Sequence, residues 1–303
     1  MTRRVAVTGA GGFIGRHVTA ALAARGDVPV PIARPFRVPA LVEAFRGVDS
    51  VVHLAGIVSA VHERDFVAAN VDGTRAVAEA AGIAGIRLIH VSSLAAAGPA
   101  PFSAPRSEGD LSAPITPYGR SKLEGERVVL ATPGLRWTIL RPGVVYGPGD
   151  RAMLPLFRYA ALGMLPLVGR ADAAYTFIHV RDAVRAILAA VDVDARLVLF
   201  VGHPRPVTTR RLLEAVRANT GDKARIIRVP LALTRVAAAF GDVFGLITGR
   251  PATINRRRYT ELASPGFVCR VDRLREMLGV EARIDLEQGI AETAGWYRAE
   301  GWL

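Results

Sequence analysis

Tyr118 and Lys122 stand four residues apart in a stretch of helical pattern, which puts them on one face, one turn apart. A phenol at its ordinary pKa is a poor proton donor or acceptor near neutral pH. An ammonium beside it favours the phenolate and shifts it toward usefulness. Ser93, just after the β-rich run at residues 87–91, is placed to hold a reacting oxygen from the other side. Near the start of the chain, Gly9, Gly12 and Gly15 form a GxxGxxG pattern directly after a strand and at the opening of a helix. Glycines there let the backbone approach a pyrophosphate, and the helix N-terminus presents free amides and a positive dipole end. Each motif alone recurs by chance. Together, with Ser92-Ser93 ending a strand 25 residues before Tyr118, they form a specific combination.

Such residues need a scaffold that gathers strand ends. The first half of the chain alternates short β-rich runs with helical patterns at roughly 25 to 35 residue spacing, as a parallel sheet with crossover helices does. Strands are predicted at 3–8, 28–33, 50–54, 87–91, 137–140 and 197–201, with helices at 13–25, 40–46, 62–81, 116–131 and 181–191. Loops rich in Gly and Pro are expected at 142–149 and 163–172, and 208–303 reads as mainly helical. The expected fold is α/β, a doubly wound parallel sheet with a smaller, mainly helical C-terminal domain. Residues 1–165, with 175–202 returning to them, would bind the dinucleotide; 166–174 and 203–303 would bind substrate.

At the end of the second predicted strand a dinucleotide site usually places an acid on the adenosine ribose. Ala33 and Arg34 stand there instead, with Arg37 just beyond. An arginine meets a 2′-phosphate, so NADP(H) is expected ahead of NAD(H), with a merely solvated Arg34 as the plainer alternative.

Composition narrows the field. With 303 residues, 50% hydrophobic and 22% charged, the chain is expected to fold around a sizeable core. Its 30 glycines and 19 prolines show no fixed period, against collagen-like and low-complexity readings. The single cysteine, Cys269, cannot form an internal disulfide or a cysteine metal cluster, so a reducing cytoplasm is the expected location. No signal-peptide pattern opens the sequence. No 18-residue stretch is apolar throughout; the most apolar, 231–247, carries Arg235 and Asp242. The net charge of +12 comes almost wholly from arginine, scattered except for the run Arg256 to Arg258. None of the usual nucleic-acid modules is present, so no such partner is expected.

The sequence resembles the extended short-chain dehydrogenase/reductases, the superfamily of NAD-dependent epimerases and dehydratases, and lies nearer its dihydroflavonol reductase and 3β-hydroxysteroid dehydrogenase branch. The resemblance rests on Thr8-Gly-Ala-Gly-Gly-Phe-Ile-Gly15, His53-Leu-Ala-Gly56, Asn70-Val-Asp-Gly-Thr74, Val91-Ser-Ser93, Tyr118-Gly-Arg-Ser-Lys122, Arg141-Pro-Gly-Val-Val-Tyr-Gly-Pro-Gly149 and Phe177-Ile-His-Val-Arg-Asp182. It implies a Rossmann-type sheet with Tyr118 as proton donor, Lys122 as the ribose-holding, pKa-lowering lysine and Ser93 as the hydroxyl that orients the substrate oxygen. The cofactor would rest on Gly9, Gly12, Phe13, Ile14 and Gly15. It would meet Arg34 at its adenosine end, pass over Leu54, Ala55 and Gly56, and have its nicotinamide flanked by Pro142, Gly143, Val144 and Val145. His53, His90 and His179 are expected to be satisfied structural residues, with no metal.

Departures from the family pattern shape the functional expectation. Leu94 and Ala95 replace the Asp-Glu pair of the sugar-nucleotide dehydratases. Tyr175-Thr176 stand where many epimerases carry a diphosphate-holding arginine, with Arg170 or Arg205 as conceivable substitutes. Gly143 follows Arg-Pro where they often have asparagine, and Ala97 replaces a tyrosine before Gly98. The segment between Arg34 and residue 40 is too short for the usual third strand. The leading expectation is an NAD(P)-dependent oxidoreductase interconverting a ketone and a secondary alcohol, with an apolar or aromatic ketone or alcohol as its substrate. A nucleotide-sugar 4-epimerase with tightly bound NAD is the alternative, and a non-catalytic cofactor-binding subunit the third reading. The apolar pattern at 231–247 is expected to be a buried helix; a pocket wall or a helix resting on a membrane surface is the alternative. A homodimer would use the helices at 62–81 and 116–131.

Overall fold

The computed structural model describes residues 2–221 and 223–303. Its centre is a six-stranded parallel sheet in the spatial order Leu197–Val201, Arg136–Pro142, Arg87–Val91, Ser50–His53, Arg4–Thr8, Val28–Ile32. The inner strands are runs of β-branched and apolar residues such as Val5, Val7, Val51, Val52, Leu88 and Ile89, each without solvent exposure. That is how strands read when helices cover both faces of a parallel sheet. Helices Phe13–Ala24 and Val180–Asp192 bury Val18, Leu22, Ala183 and Ile187 on one face. Helices Val38–Ala44, Gly73–Ile83 and Pro117–Ala131 bury Leu41, Val77, Ala78 and Val129 on the other.

The chain enters the sheet at Arg4–Thr8, adds Val28–Ile32 on one side and then crosses to Ser50–His53 on the other. The winding therefore reverses between Arg4–Thr8 and Ser50–His53, and a crevice at the carboxyl ends of such strands is where this architecture binds ligands. As the short segment after Arg34 predicts, the sheet ends at Val28–Ile32, and helix Val38–Ala44 follows directly.

Three features differ from the sequence reading. The predicted loop at 142–149 contains strand Val144–Tyr146, paired with Phe177–His179, and the predicted loop at 163–172 contains strand Met164–Val168, paired with Arg225–Val229. Three- and five-residue strands whose partners lie 33 to 61 residues away show too little alternation to be recognised locally. The predicted helix at 62–81 extends over 63–83 and is π-wound at Val67–Asp72. The third difference concerns helix Leu231–Thr248, expected to be buried. It buries only Thr234, Ala238 and Gly245, and Phe240 is 72% and Ile247 79% exposed.

A second core lies over the carboxyl ends of the sheet, built from Tyr146, Phe157, Leu213, Ile290 and Tyr297. Above it, Ala174–Tyr175 is flanked by Val207–Thr208 and Gly266–Phe267. The C-terminal helix Leu286–Ala299 is tied in by the Tyr297 hydroxyl, which donates to the carbonyl of Asp150 at 2.6 Å.

Candidate active site

At the point where the winding reverses, Gly9 has a φ of +70°, and a Cβ there would lie 2.9 Å from the Ala55 nitrogen. A Cβ on Gly15 would lie 2.0 Å from the Gly9 carbonyl oxygen. Any side chain at either position would push the turn away from the Leu54–Ala55 backbone or from the helix that follows. Gly12, the N-cap of helix Phe13–Ala24, is exposed and offers no side-chain cap, and no acidic residue stands in the first turn. The leading amides are thus free to bind a phosphate. Ile14 lines a small apolar cleft with Val91, Pro142 and Val145, while Phe13 packs edge-on to His17 at 5.7 Å.

The loop after Ser50–His53 is pinned from below. Asn70, buried in the π-wound turn, accepts from the Ile57 amide at 2.8 Å and donates to the Ile57 carbonyl at 3.0 Å and to Ser121 Oγ at 2.9 Å. One side chain therefore joins the loop Leu54 to Ile57 to the helix carrying Tyr118 and Lys122. His53 bridges Thr8 Oγ1 at 2.7 Å and Thr74 Oγ1 at 3.1 Å, so it is the structural residue expected. Burial lowers its pKa to about 3, with Lys122 and Arg34 adding to the effect. His90 departs from expectation: it stacks on His53 at 5.5 Å, but neither ring nitrogen has a hydrogen-bond partner among the described residues. Among those residues no group of three His, Cys, Asp or Glu is arranged to hold a metal.

Arg34 lies exposed at the open edge, its guanidinium 5.8 Å from the centre of the Phe36 ring, and Phe36 in turn packs against His53 at 6.1 Å. Its charge reaches the carboxyl end of the sheet. Arg37, the N-cap of helix Val38–Ala44, is exposed beside it. The site thus has a glycine cradle, uncapped amides and a basic edge.

Helix Pro117–Ala131 begins at the N-cap Thr116, whose hydroxyl accepts from the Gly119 amide at 3.1 Å. A Cβ on Gly119 would lie 2.4 Å from the Ala95 carbonyl oxygen, so the glycine lets the first turn of the helix rest on the turn Leu94–Ala96. Ser93 is the N-cap of that turn, accepting from the Ala95 amide at 3.2 Å, and it lies near enough to the Tyr118 phenol to oppose the rise in its pKa. This glycine-permitted contact thus brings together residues 25 apart.

The electrostatics depart from the expectation that Lys122 lowers the phenol pKa. Burial raises the Tyr118 pKa, Ser93 opposes the rise, and the Glu261 carboxylate adds to it. Lys122 is buried, its Nζ donating to the Val91 carbonyl at 2.8 Å, and burial lowers its pKa to about 8 while Glu126 opposes the shift. Desolvation is the largest influence on both groups, outweighing Ser93 at Tyr118 and Glu126 at Lys122.

One buried network was not foreseen. Arg141 donates Nε to Glu126 Oε1 at 3.0 Å and Nη2 to Oε2 at 2.6 Å, and Ser92 donates a very short hydrogen bond to the same carboxylate. Both charged side chains are under a tenth exposed. Glu126, one turn beyond Lys122, thereby fixes the ends of strands Arg87–Val91 and Arg136–Pro142. Its position on the Tyr118 and Lys122 face was visible in the sequence; its partner on another strand was not.

The model of the NAD dependent epimerase/dehydratase family matches residues 5–198, which carry the glycine turn, Ser93, Tyr118 and Lys122. The chain belongs to this family. Over 99% of its length it is 32% identical to a ceramide reductase of Caulobacter vibrioides, covering 96% of that protein. A 4-hydroxy-2-methyl-3-oxo-4-farnesyl-3,4-dihydroquinoline-1-oxide ketoreductase of Stigmatella aurantiaca is 27% identical, with 95% of this chain and 94% of that protein covered. Among solved structures, MoeE5 in complex with UDP-glucuronic acid and NAD superposes with a TM-score of 0.79 at 25% identity, covering 98% and 99% of the two chains.

Within this epimerase/dehydratase frame, the place of the diphosphate clamp is filled. A Cβ on Gly143 would lie 2.1 Å from the Thr176 carbonyl oxygen, and one on Gly202 would lie 2.1 Å from Thr176 Cγ2. Thr176 is buried and accepts from the Cys269 amide at 3.1 Å. Its neighbour Tyr175 stacks on Phe267, ring centres 6.4 Å apart and planes 17° from parallel. Of the proposed substitutes, Arg170 is paired with Asp172 on the surface, and Arg205 lines a cleft with Tyr146, Phe177 and Asp285. The site is roofed instead by residues from 256–267. Arg257 lies 5.0 Å over the Phe66 ring, Phe66 lies 6.3 Å from Tyr118, and Glu261 acts electrostatically on both Tyr118 and Tyr175. The sequence signal for this roof was weak, because residues from four distant segments meet there.

Proposed function

We propose that this chain is an NAD(P)-dependent oxidoreductase that interconverts an apolar or aromatic ketone and its secondary alcohol, with NADP(H) the preferred cofactor. The observation that carries this reading is the filled clamp position, where buried Thr176 and the Tyr175–Phe267 stack stand in place of a charged grip on a diphosphate. A bound nicotinamide supplies or accepts the hydride. The raised phenol keeps Tyr118 protonated at neutral pH, the form that gives a proton to a carbonyl oxygen. Ser93, beside that phenol, orients the same oxygen and stabilises charge developing on it. Lys122 spends one of its three N–H donors on Val91, leaving two for the cofactor ribose. Two relatives, by name a ceramide reductase and a ketoreductase, support a reductive role.

The alternative is a nucleotide-sugar 4-epimerase with tightly bound NAD, which needs the same Ser93, Tyr118 and Lys122 and is favoured by the likeness to MoeE5. A non-catalytic subunit would have no use for the assembled trio. Ligand protection against heat separates these readings. NADPH is expected to protect more than NADH, with Arg34→Ala narrowing the gap by about 1 to 3 kcal/mol, the size of one charge-assisted contact. Hydrophobic ketones should then protect the holoenzyme further while UDP does not. Protection by UDP with none by ketones would promote the epimerase, and NADH binding as tightly as NADPH would remove the cofactor preference.

A further inference from the structure

Helix Leu231–Thr248 is 18 residues long, or about 27 Å, and divides sharply into two faces. The inner face is small: Thr234, Ala238 and Gly245 are buried, and a Cβ on Gly241 would lie 1.9 Å from the Ile254 carbonyl oxygen. This face packs against helix Arg256–Ala263 and approaches Val61. The outer face carries Leu233, Val236, Phe240, Val243, Phe244 and Ile247, at spacings of three, four, three, one and three, which form one continuous stripe. Every one of them is more than half exposed. No described element covers them, and such a stripe is far from the scattered apolar residues of an ordinary surface.

The charge around this stripe indicates its partner. Residues 223–260 contain eight basic side chains and one acid, Asp242, a net of +7 out of +12 for the whole chain. The basic residues bracket the helix. Arg225 and Arg228 stand exposed on the strand before it, and Arg250 and Arg256 stand exposed just after it. A second copy of this chain would bring two such positive fields together, so a symmetric dimer through the stripe is disfavoured. An apolar face flanked by arginines matches the boundary of a bilayer that carries anionic head groups. A spanning arrangement would strip the helix from the Arg256–Ala263 helix on which its glycine face is fitted.

We propose that helix Leu231–Thr248 docks this protein on the surface of a membrane containing anionic lipid, lying in the interfacial plane with Phe240 and Phe244 inserted. The same helix pair holds Arg257 and Glu261 above Tyr118, so docking sets the roof of the active site against the lipid. That this gives access to a lipid-dissolved ketone rests on the function proposed above; the docking itself does not, and its test reads binding without turnover.

The test is co-sedimentation of the full chain with phosphatidylcholine vesicles, with and without phosphatidylglycerol. Binding is expected to the anionic vesicles, and to weaken roughly tenfold or more on removing phosphatidylglycerol or raising salt. Phe240→Ser with Phe244→Ser should weaken it by a similar factor without changing the melting temperature or NADPH binding, because both rings are exposed. In a Phe240→Trp variant the added emission should shift to the blue on anionic vesicles. No binding of the wild type, or equal binding by the double serine variant, would overturn the proposal. So would release by detergent alone, which marks a spanning helix. A wild-type dimer that the serine variant splits, without vesicle binding, would reassign the stripe to a second copy.

Discussion

Lys122 meets two opposed demands. Its ammonium serves the site only while charged, yet burial lowers its pKa from 10.5 to about 8. The folded form therefore releases its proton more readily than the unfolded chain. Between about pH 8 and 10.5 the unfolded state holds more protons, and stability contributed by this residue rises with pH. Below pH 8 burying the charge costs on the order of 3 kcal/mol, offset in part by the hydrogen bond to Val91. Lys122→Met is accordingly expected to lose activity while unfolding no more easily than wild type at pH 7. The comparison should swing toward the wild type as pH is raised toward 10.5. Urea unfolding of both proteins at several pH values reads this directly, and a variant several kcal/mol less stable at pH 7 would contradict it. The Tyr118 and Lys122 pairing was legible from a spacing of four. The direction of the phenol shift was not, because desolvation depends on tertiary packing that spacing does not encode.

Helix Pro117–Ala131 is the element that assembles the site, through four contacts in its first three turns. Gly119 rests on Ala95, Ser121 meets Asn70, Lys122 holds Val91, and Glu126 anchors Arg141 and Ser92. The last of these is a buried ion pair, and removing one partner leaves the other charge without compensation. Glu126→Ala should cost about 3 to 5 kcal/mol in urea unfolding. Replacing both Glu126 and Arg141 by leucine should cost much less, since no isolated charge then remains. A loss within about 1 kcal/mol for Glu126→Ala would show that the pair does not hold the two strand ends. Periodicity located this helix to within a residue at its start, from Thr116 and Pro117. The network beneath it depends on a residue 15 positions away on a different strand, beyond the reach of any helical pattern.

At the scale of the whole molecule, the doubly wound sheet was readable because its strands are apolar runs separated by amphipathic helices, each a local pattern. The roof was much less so. Ala174–Tyr175, Gly266–Phe267 and the Phe66 turn are short pieces whose meaning comes only from tertiary contacts, the two strands pairing with each other and Phe66 packing on Tyr118. The apolar count of residues 231–247 signalled a helix correctly, but composition does not say which way a face points, and the structure turns it outward. The central claim is that this assembly moves a hydride between a nicotinamide and a ketone while Tyr118 moves the proton. It is tested most directly by incubating the protein with an apolar ketone and NADPH deuterated at C4, and measuring deuterium on the carbinol carbon of the product. The wild type is expected to place one deuterium there, and Tyr118→Phe to do so at least a hundredfold more slowly with NADPH binding preserved, the scale of a lost general acid. Unimpaired deuterium transfer by Tyr118→Phe, or no transfer to any ketone alongside interconversion of a UDP-sugar with the cofactor retained, would contradict it.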